Sequence, residues 1–221
     1  MSNTDLIKTS GGTVVDADGS LHQQYTKITA TAAELNSGVS GLTATASEIN
    51  AIADQSAVTG TMSASTVMAA TLAAYNVTTV RTGNIIKTTM YIDLTGAKST
   101  TTDDDIIGDT GACHIGQVTT AVNGAIFAGQ VSCAEVPTTG VADINLASSS
   151  VATGAYDADV TGLANAQALM TAGGNHAIGT VKPFTVLPTA DYYLYLSAGA
   201  AGTPGTYDAG ILIIEMWGLA S

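Results

Sequence analysis

The sequence predicts a mainly β protein: a jelly-roll-like β-sandwich body over residues 76–221, behind an extended N-terminal arm over residues 1–75 that contains short helical turns. Three observations lead there. Ile86, Thr88, Met90, Ile92 and Leu94 alternate with Lys87, Thr89, Tyr91 and Asp93, the period of two that marks a strand with one buried face. Short apolar runs are separated by turn-forming clusters such as Gly108-Asp109-Thr110-Gly111 and Gly202-Thr203-Pro204-Gly205, as in sandwiches and jelly rolls. An octapeptide near the N-terminus occurs twice, and each copy carries a helix-start signal.

The two copies are TATAAELN at residues 29–36 and TATASEIN at residues 43–50. Thr31 and Glu34 in the first, and Thr45 and Glu48 in the second, fit the capping box Thr-x-x-Glu: the hydroxyl accepts from the backbone three residues on, and the carboxylate reaches back. Leu35 and Ile49 follow at the position where an apolar contact fixes the start of the helix. Gly38 and Gly41 then stop the first copy. Helices of one or two turns are marginal alone, so these six residues are the candidate attachment and oligomer contacts. Over 63–75, Val67, Met68, Leu72 and Tyr75 can line one helical face, whereas the Ser and Thr content argues for a linker. Beyond residue 76 the expected strands are 86–94, 114–120, 125–134, 141–146, 181–187, 192–196 and 210–217, with one helical interruption near 163–171.

Composition narrows the function. Charged residues are only 11% of the 221 and aromatics 5%, with Thr, Ser, Gly and Ala in their place. A surface of hydroxyls and small side chains suits close subunit contact because little charge is desolvated; a Thr-rich secreted β protein is the plainer alternative. The net charge is −12. Residues 1–100 hold five basic and seven acidic residues, while residues 101–221 hold Lys182 against eleven acids. That surface repels phosphate, so nucleic acid is not an expected partner. No apolar stretch reaches membrane-spanning length. Residues 1–10 lack the apolar core of a signal peptide, which predicts synthesis in a cytoplasm and no membrane partner.

Chemistry-bearing motifs are sparse. His22, His114 and His176 share no metal-ligand spacing, and Cys113-His114 would point to opposite faces of a strand. Cys113 and Cys133 are expected as small buried apolar groups, with pairing on neighbouring strands as the alternative. Asp103, Asp104, Asp105 and Asp109 are expected in a solvated turn rather than as a Ca²⁺ loop or a glycosidase pair. Asp16-Ala17-Asp18-Gly19 lacks the later ligands of a calcium loop and reads as a turn. No nucleophile elbow or phosphate-binding loop occurs. No catalytic residue, cofactor or metal is therefore expected.

The repeated TATAAELN and TATASEIN resemble elements found in tailed-bacteriophage virion proteins, among them head fibres, tail fibres and capsid decoration or cement proteins. Residues 191–196 followed by a Gly-rich loop and residues 210–217 are similar to the closing strands of their β domains. The resemblance implies a non-enzymatic virion structural protein, made in the host cytoplasm and placed on the capsid surface. It implies the major capsid protein as partner and a homotrimer. With two motif copies and a short chain, a decoration protein that stabilises the capsid lattice is expected ahead of a receptor-binding tail or head fibre. A virion-borne glycan depolymerase stands as the enzymatic rival. The acidic C-terminal part would face solvent, and the arm would bind the capsid.

Overall fold

The structure, a computed structural model, describes residues 60–170, 174–200 and 202–220, with the strand pairs 7–8, 14–15 and 21–22. The chain divides into two compact units, Met1–Ile52 and Ala53–Ser221. In the first unit β1 (Ile7–Lys8), β2 (Val14–Val15) and β3 (Leu21–His22) form an antiparallel sheet in that order. These strands are not among the elements expected from the sequence. Both octapeptides, and with them Thr31, Glu34, Leu35, Thr45, Glu48 and Ile49, lie outside the described residues.

The second unit is mainly β, and its sheets are antiparallel throughout. Its expected start at residue 76 falls inside the unit, because Met62, Met68 and Leu72 are already part of the core. The ambiguous segment resolves as a helix, α1 (Thr66–Thr71). Ser65 caps it, its Oγ accepting from the Met68 N–H at 3.1 Å, and its apolar side buries Met68.

The five-stranded sheet runs, in spatial order, β11 (Val181–Pro183), β8 (Ala125–Thr138), β14 (Ala209–Leu219), β5 (Ile85–Asp93) and β4 (Ala74–Thr82). β4 and β5 are joined by Gly83-Asn84, with Thr82 opposite Ile85. Gly83 has φ +60°, which a tight two-residue hairpin turn requires and glycine supplies without strain. β14 lies centrally and alternates strictly between buried and half-buried residues. Leu212, Ile214 and Met216 face the core beside Met90 and Ile92 of β5. A bulge near Gly210 (φ +139°) lets β14 pass close to Pro137 of β8.

The four-stranded sheet runs β10 (Gln167–Ala168), β9 (Ile144–Ser149), β12 (Tyr193–Ala198) and β7 (Gly116–Gln117). Ile144, Leu146, Leu194 and Leu196 bring this sheet into the same core as the first. Its other face is covered too, so Tyr195 and Ser197 are buried as fully as Leu196. A small pair, β6 (Lys98–Ser99) with β13 (Gly205–Thr206), closes one side. There Tyr207 is buried and its hydroxyl donates to the Val141 carbonyl at 2.7 Å. Tyr207→Phe strands that carbonyl and is expected to cost about 1–2 kcal/mol in urea unfolding.

The expected strands at 141–146 and 181–187 are shifted to Ile144–Ser149 and cut to Val181–Pro183, and two further expected elements differ more. The helix near 163–171 is replaced by a 3₁₀ turn at Val160–Gly162 and by β10. Asn165 sits at φ +54° and Ala168 pairs with Ala147, so the alanine-rich run is spent on a turn and a sheet edge. The expected strand at 114–120 is reduced to β7, because Thr119 begins a helical turn instead, α2 (Thr120–Asn123), its hydroxyl accepting from the Val122 N–H.

Candidate assembly surface

The outer face of the five-stranded sheet follows from its register. β14 places Ile211, Ile213, Glu215, Trp217 and Leu219 outward, and opposite them β5 places Asp93, Tyr91, Thr89, Lys87 and Ile85. β4 continues the face with Asn76, Thr78, Val80 and Thr82. The central charges cancel: Lys87 Nζ lies 2.5 Å from Glu215 Oε1, and Gln130 of β8 donates to the other oxygen at 2.6 Å. Lys87 also lies 5.5 Å from the centre of the Trp217 ring. These contacts hold the Glu215 carboxyl below its usual range, the Lys87 hydrogen bond contributing most. At one end of the sheet Val80, Ile85, Phe127 and Leu219 are each about half exposed, from 45% to 55%. Asp93 and Glu135 flank Ile211 toward the other end; the rest of the face, aliphatic, aromatic and hydroxyl groups around one neutralised pair, has the makeup of an interface core.

Most of the acids lie elsewhere. The 103–109 segment is not the freely solvated turn expected from sequence. Asp105 is buried and accepts from the Thr100 hydroxyl at 2.5 Å, and Asp109 binds Lys98 at 2.8 Å. The Lys98 hydrogen bond lowers the Asp109 pKa and raises that of Lys98. Cys113 and Cys133 are both buried free thiols whose pKa values burial raises, as small core residues would be. The boundary at Ile52 also changes the charge argument. Residues 1–52 hold two basic and five acidic residues, and residues 53–221 four and thirteen. The two units thus carry almost the same net charge per residue, and charge does not single out the arm for attachment.

Two histidines are embedded in the body. His176 is buried, with Nε2 2.8 Å from the Ile144 carbonyl, and burial lowers its pKa. His114 packs in a tilted arrangement against Tyr193, ring centres 4.9 Å apart, and burial lowers its pKa as well. With Gln117, Thr119 and Thr66 it lines a recess of about 450 Å³. Burial disfavours the charged form of both rings, so the folded chain takes up these protons at a lower pH than the unfolded chain, which does so near pH 6.5. Stability supplied by the neutral rings is therefore present above that pH and is lost as the pH falls below it. The melting temperature should fall from pH 7 to pH 5, and His114→Gln with His176→Gln should flatten that slope in calorimetry.

Among the described residues no three His, Cys, Asp or Glu side chains gather where they could hold a metal ion. No helix among them is long and apolar enough to cross a membrane. Comparison with protein-family models, with characterised proteins and with solved structures returned no match.

Proposed function

We propose that this chain is a non-enzymatic structural subunit of a tailed-phage virion that decorates and stabilises the capsid lattice. In this reading a jelly-roll-like body is carried on an N-terminal arm. The arm binds the major capsid protein through the paired capping-box segments, and copies of the chain associate as a homotrimer on the capsid surface. The observation that carries the reading is the outer face of the five-stranded sheet. In a chain of net charge −12, that face sets Ile213, Trp217, Tyr91 and Leu219 around a neutralised pair, Lys87 with Glu215, and keeps its other carboxylates, Asp93 and Glu135, beside Ile211 toward the opposite end. The part of the face around the pair loses little on desolvation. The octapeptide repeats supply the link to virion proteins.

Replacing Leu35 and Ile49 together by Asp tests the arm. Each loses an apolar contact of roughly 1.5–3 kcal/mol, so binding to particles stripped of the protein should weaken on the order of a hundredfold or more. The melting temperature of the body should not move. Unchanged binding would remove the arm from the attachment role.

A second reading, a receptor-binding head or tail fibre, draws on the recess beside His114 and Tyr193. Its aromatic and hydroxyl lining suits a sugar or a peptide tip. Glycan arrays separate the two, since saturable binding abolished by Tyr193→Ala favours the fibre. Sustained release of reducing ends from host polysaccharide would instead make the chain an enzyme.

A further inference from the structure

The five-stranded sheet ends at β4 in an open edge. Among the described residues β4 pairs with β5 alone, in an unbroken register. The two-residue turn at Gly83-Asn84 makes Thr82 and Ile85 a hydrogen-bonded pair. Thr82, Val80, Thr78, Asn76 and Ala74 therefore spend their backbone N–H and C=O groups on β5. Those of Arg81, Thr79, Val77 and Tyr75 point away from the sheet. The edge is nine residues long, roughly 30 Å.

Sheet edges are ordinarily blunted by lysine, proline, a bulge or shortness. The other edges of the two sheets follow that rule. β11 is three residues long and contains Lys182 and Pro183, and β7 and β10 have two residues each. β4 has no proline, lysine or acid. Its one charge, Arg81, is folded back along the hairpin, Nε donating to the Gly83 carbonyl at 2.9 Å. Tyr75 is turned inward and donates its hydroxyl to the Ile115 carbonyl at 2.6 Å. Both long side chains are thus tied within their own chain.

We propose that β4 pairs antiparallel with β4 of a second copy of this chain across a two-fold axis, joining two five-stranded sheets into one. The strand is complementary to itself in one full register. Tyr75 meets the partner's Arg81 and Val77 meets the partner's Thr79, so every outward group is used, in about eight hydrogen bonds. The ends fix this register. The Ala73 N–H already donates to the Thr95 carbonyl, and the Gly83 carbonyl already holds Arg81. A slip of two residues either way calls on one of these groups and leaves about six bonds. Thr78 then faces its own copy on the axis, in a non-hydrogen-bonded pair with Cα atoms about 4.5 Å apart. The two Arg81 side chains lie roughly 20 Å apart along the strands, beyond the Debye length at physiological salt. Such a contact closes at two copies. It uses the sheet edge, so it stands apart from the trimer and capsid contacts proposed above and does not depend on them.

The test is disulfide trapping in the full chain. Asn76, Thr78 and Val80 are exposed, and the native Cys113 and Cys133 are buried. Under mild oxidation Thr78→Cys should give a disulfide-linked dimer, because Cα atoms at that spacing suit the bond. Asn76→Cys and Val80→Cys should each fail to cross-link alone and should cross-link when mixed, since the register sets Asn76 against the partner's Val80. Adding Thr79→Pro to Thr78→Cys removes an outward N–H without taking a bond from β5. It should slow trapping at least about tenfold, with calorimetry as the folding control. A folded Thr78→Cys chain that does not cross-link would overturn the proposal. So would Asn76→Cys cross-linking alone as readily as Thr78→Cys, or a folded Thr79→Pro variant trapped as fast as its parent.

Discussion

Gly218→Ala is expected to destabilise the body by about 3 kcal/mol, a large effect for one added methyl group. Gly218 lies in β14 where α2 and the following turn close over the sheet. A Cβ at this position would run into the Asn123 carbonyl oxygen and then meet the Gly124 backbone. Neither can give way easily. Asn123 is fully buried; its Nδ2 donates to the Thr88 hydroxyl at 2.9 Å, and its Oδ1 accepts from the Thr119 N–H at 2.9 Å. Gly124 holds φ +71°, and its own Cβ would collide with the Leu219 carbonyl. Strand and turn are thus in mutual backbone contact. Gly162→Ala is the matched control, since nothing lies within 4 Å of a Cβ there. It should be neutral, or stabilising by up to about 0.5–1 kcal/mol through the unfolded chain. Urea denaturation of both variants checks the contrast; equal effects would mean that the α2 turn does not pack on β14 as described.

The second large effect concerns self-association. Phe127→Lys combined with Leu219→Lys places two charges at the exposed end of the sheet, where the parent side chains are 47% and 49% exposed. Both positions are open in the isolated chain, so folding stability should stay within about 1 kcal/mol. If this face joins copies of the chain, each variant loses an apolar contact and each lysine must be desolvated. Self-association should weaken at least about a hundredfold. Sedimentation velocity over a concentration series, with calorimetry as the folding control, gives the answer. A parent chain that is monomeric throughout, or a variant that associates as tightly as the parent, would contradict this use of the face.

How much of this was legible in the sequence depends on how many faces of each strand are covered. β5 and β14 were found to within a residue or two because one face is buried and the other is not, which writes a period of two into the chain. β12 was located by its apolar run, but the burial of Tyr195 and Ser197 was not, because the segment that covers them comes from distant residues. β6, β10 and β13 are two residues long and exist through their partners alone, so no local pattern announces them. α1 was ambiguous because its Thr and Ser content hid the Ser65 cap. The acid run is legible in the sequence, yet its division into the buried Asp105 and the lysine-bound Asp109 rests on tertiary contacts.

The central claim is that the chain coats a capsid. Quantitative mass spectrometry of purified phage particles carrying the gene tests it most directly, by measuring the ratio of this chain to the major capsid protein. The account predicts a fixed ratio in keeping with occupancy across the lattice, lost from particles assembled with the Leu35→Asp, Ile49→Asp chain. A ratio of only a few copies per particle, confined to one vertex or to the tail, would contradict it, as would absence from the particle.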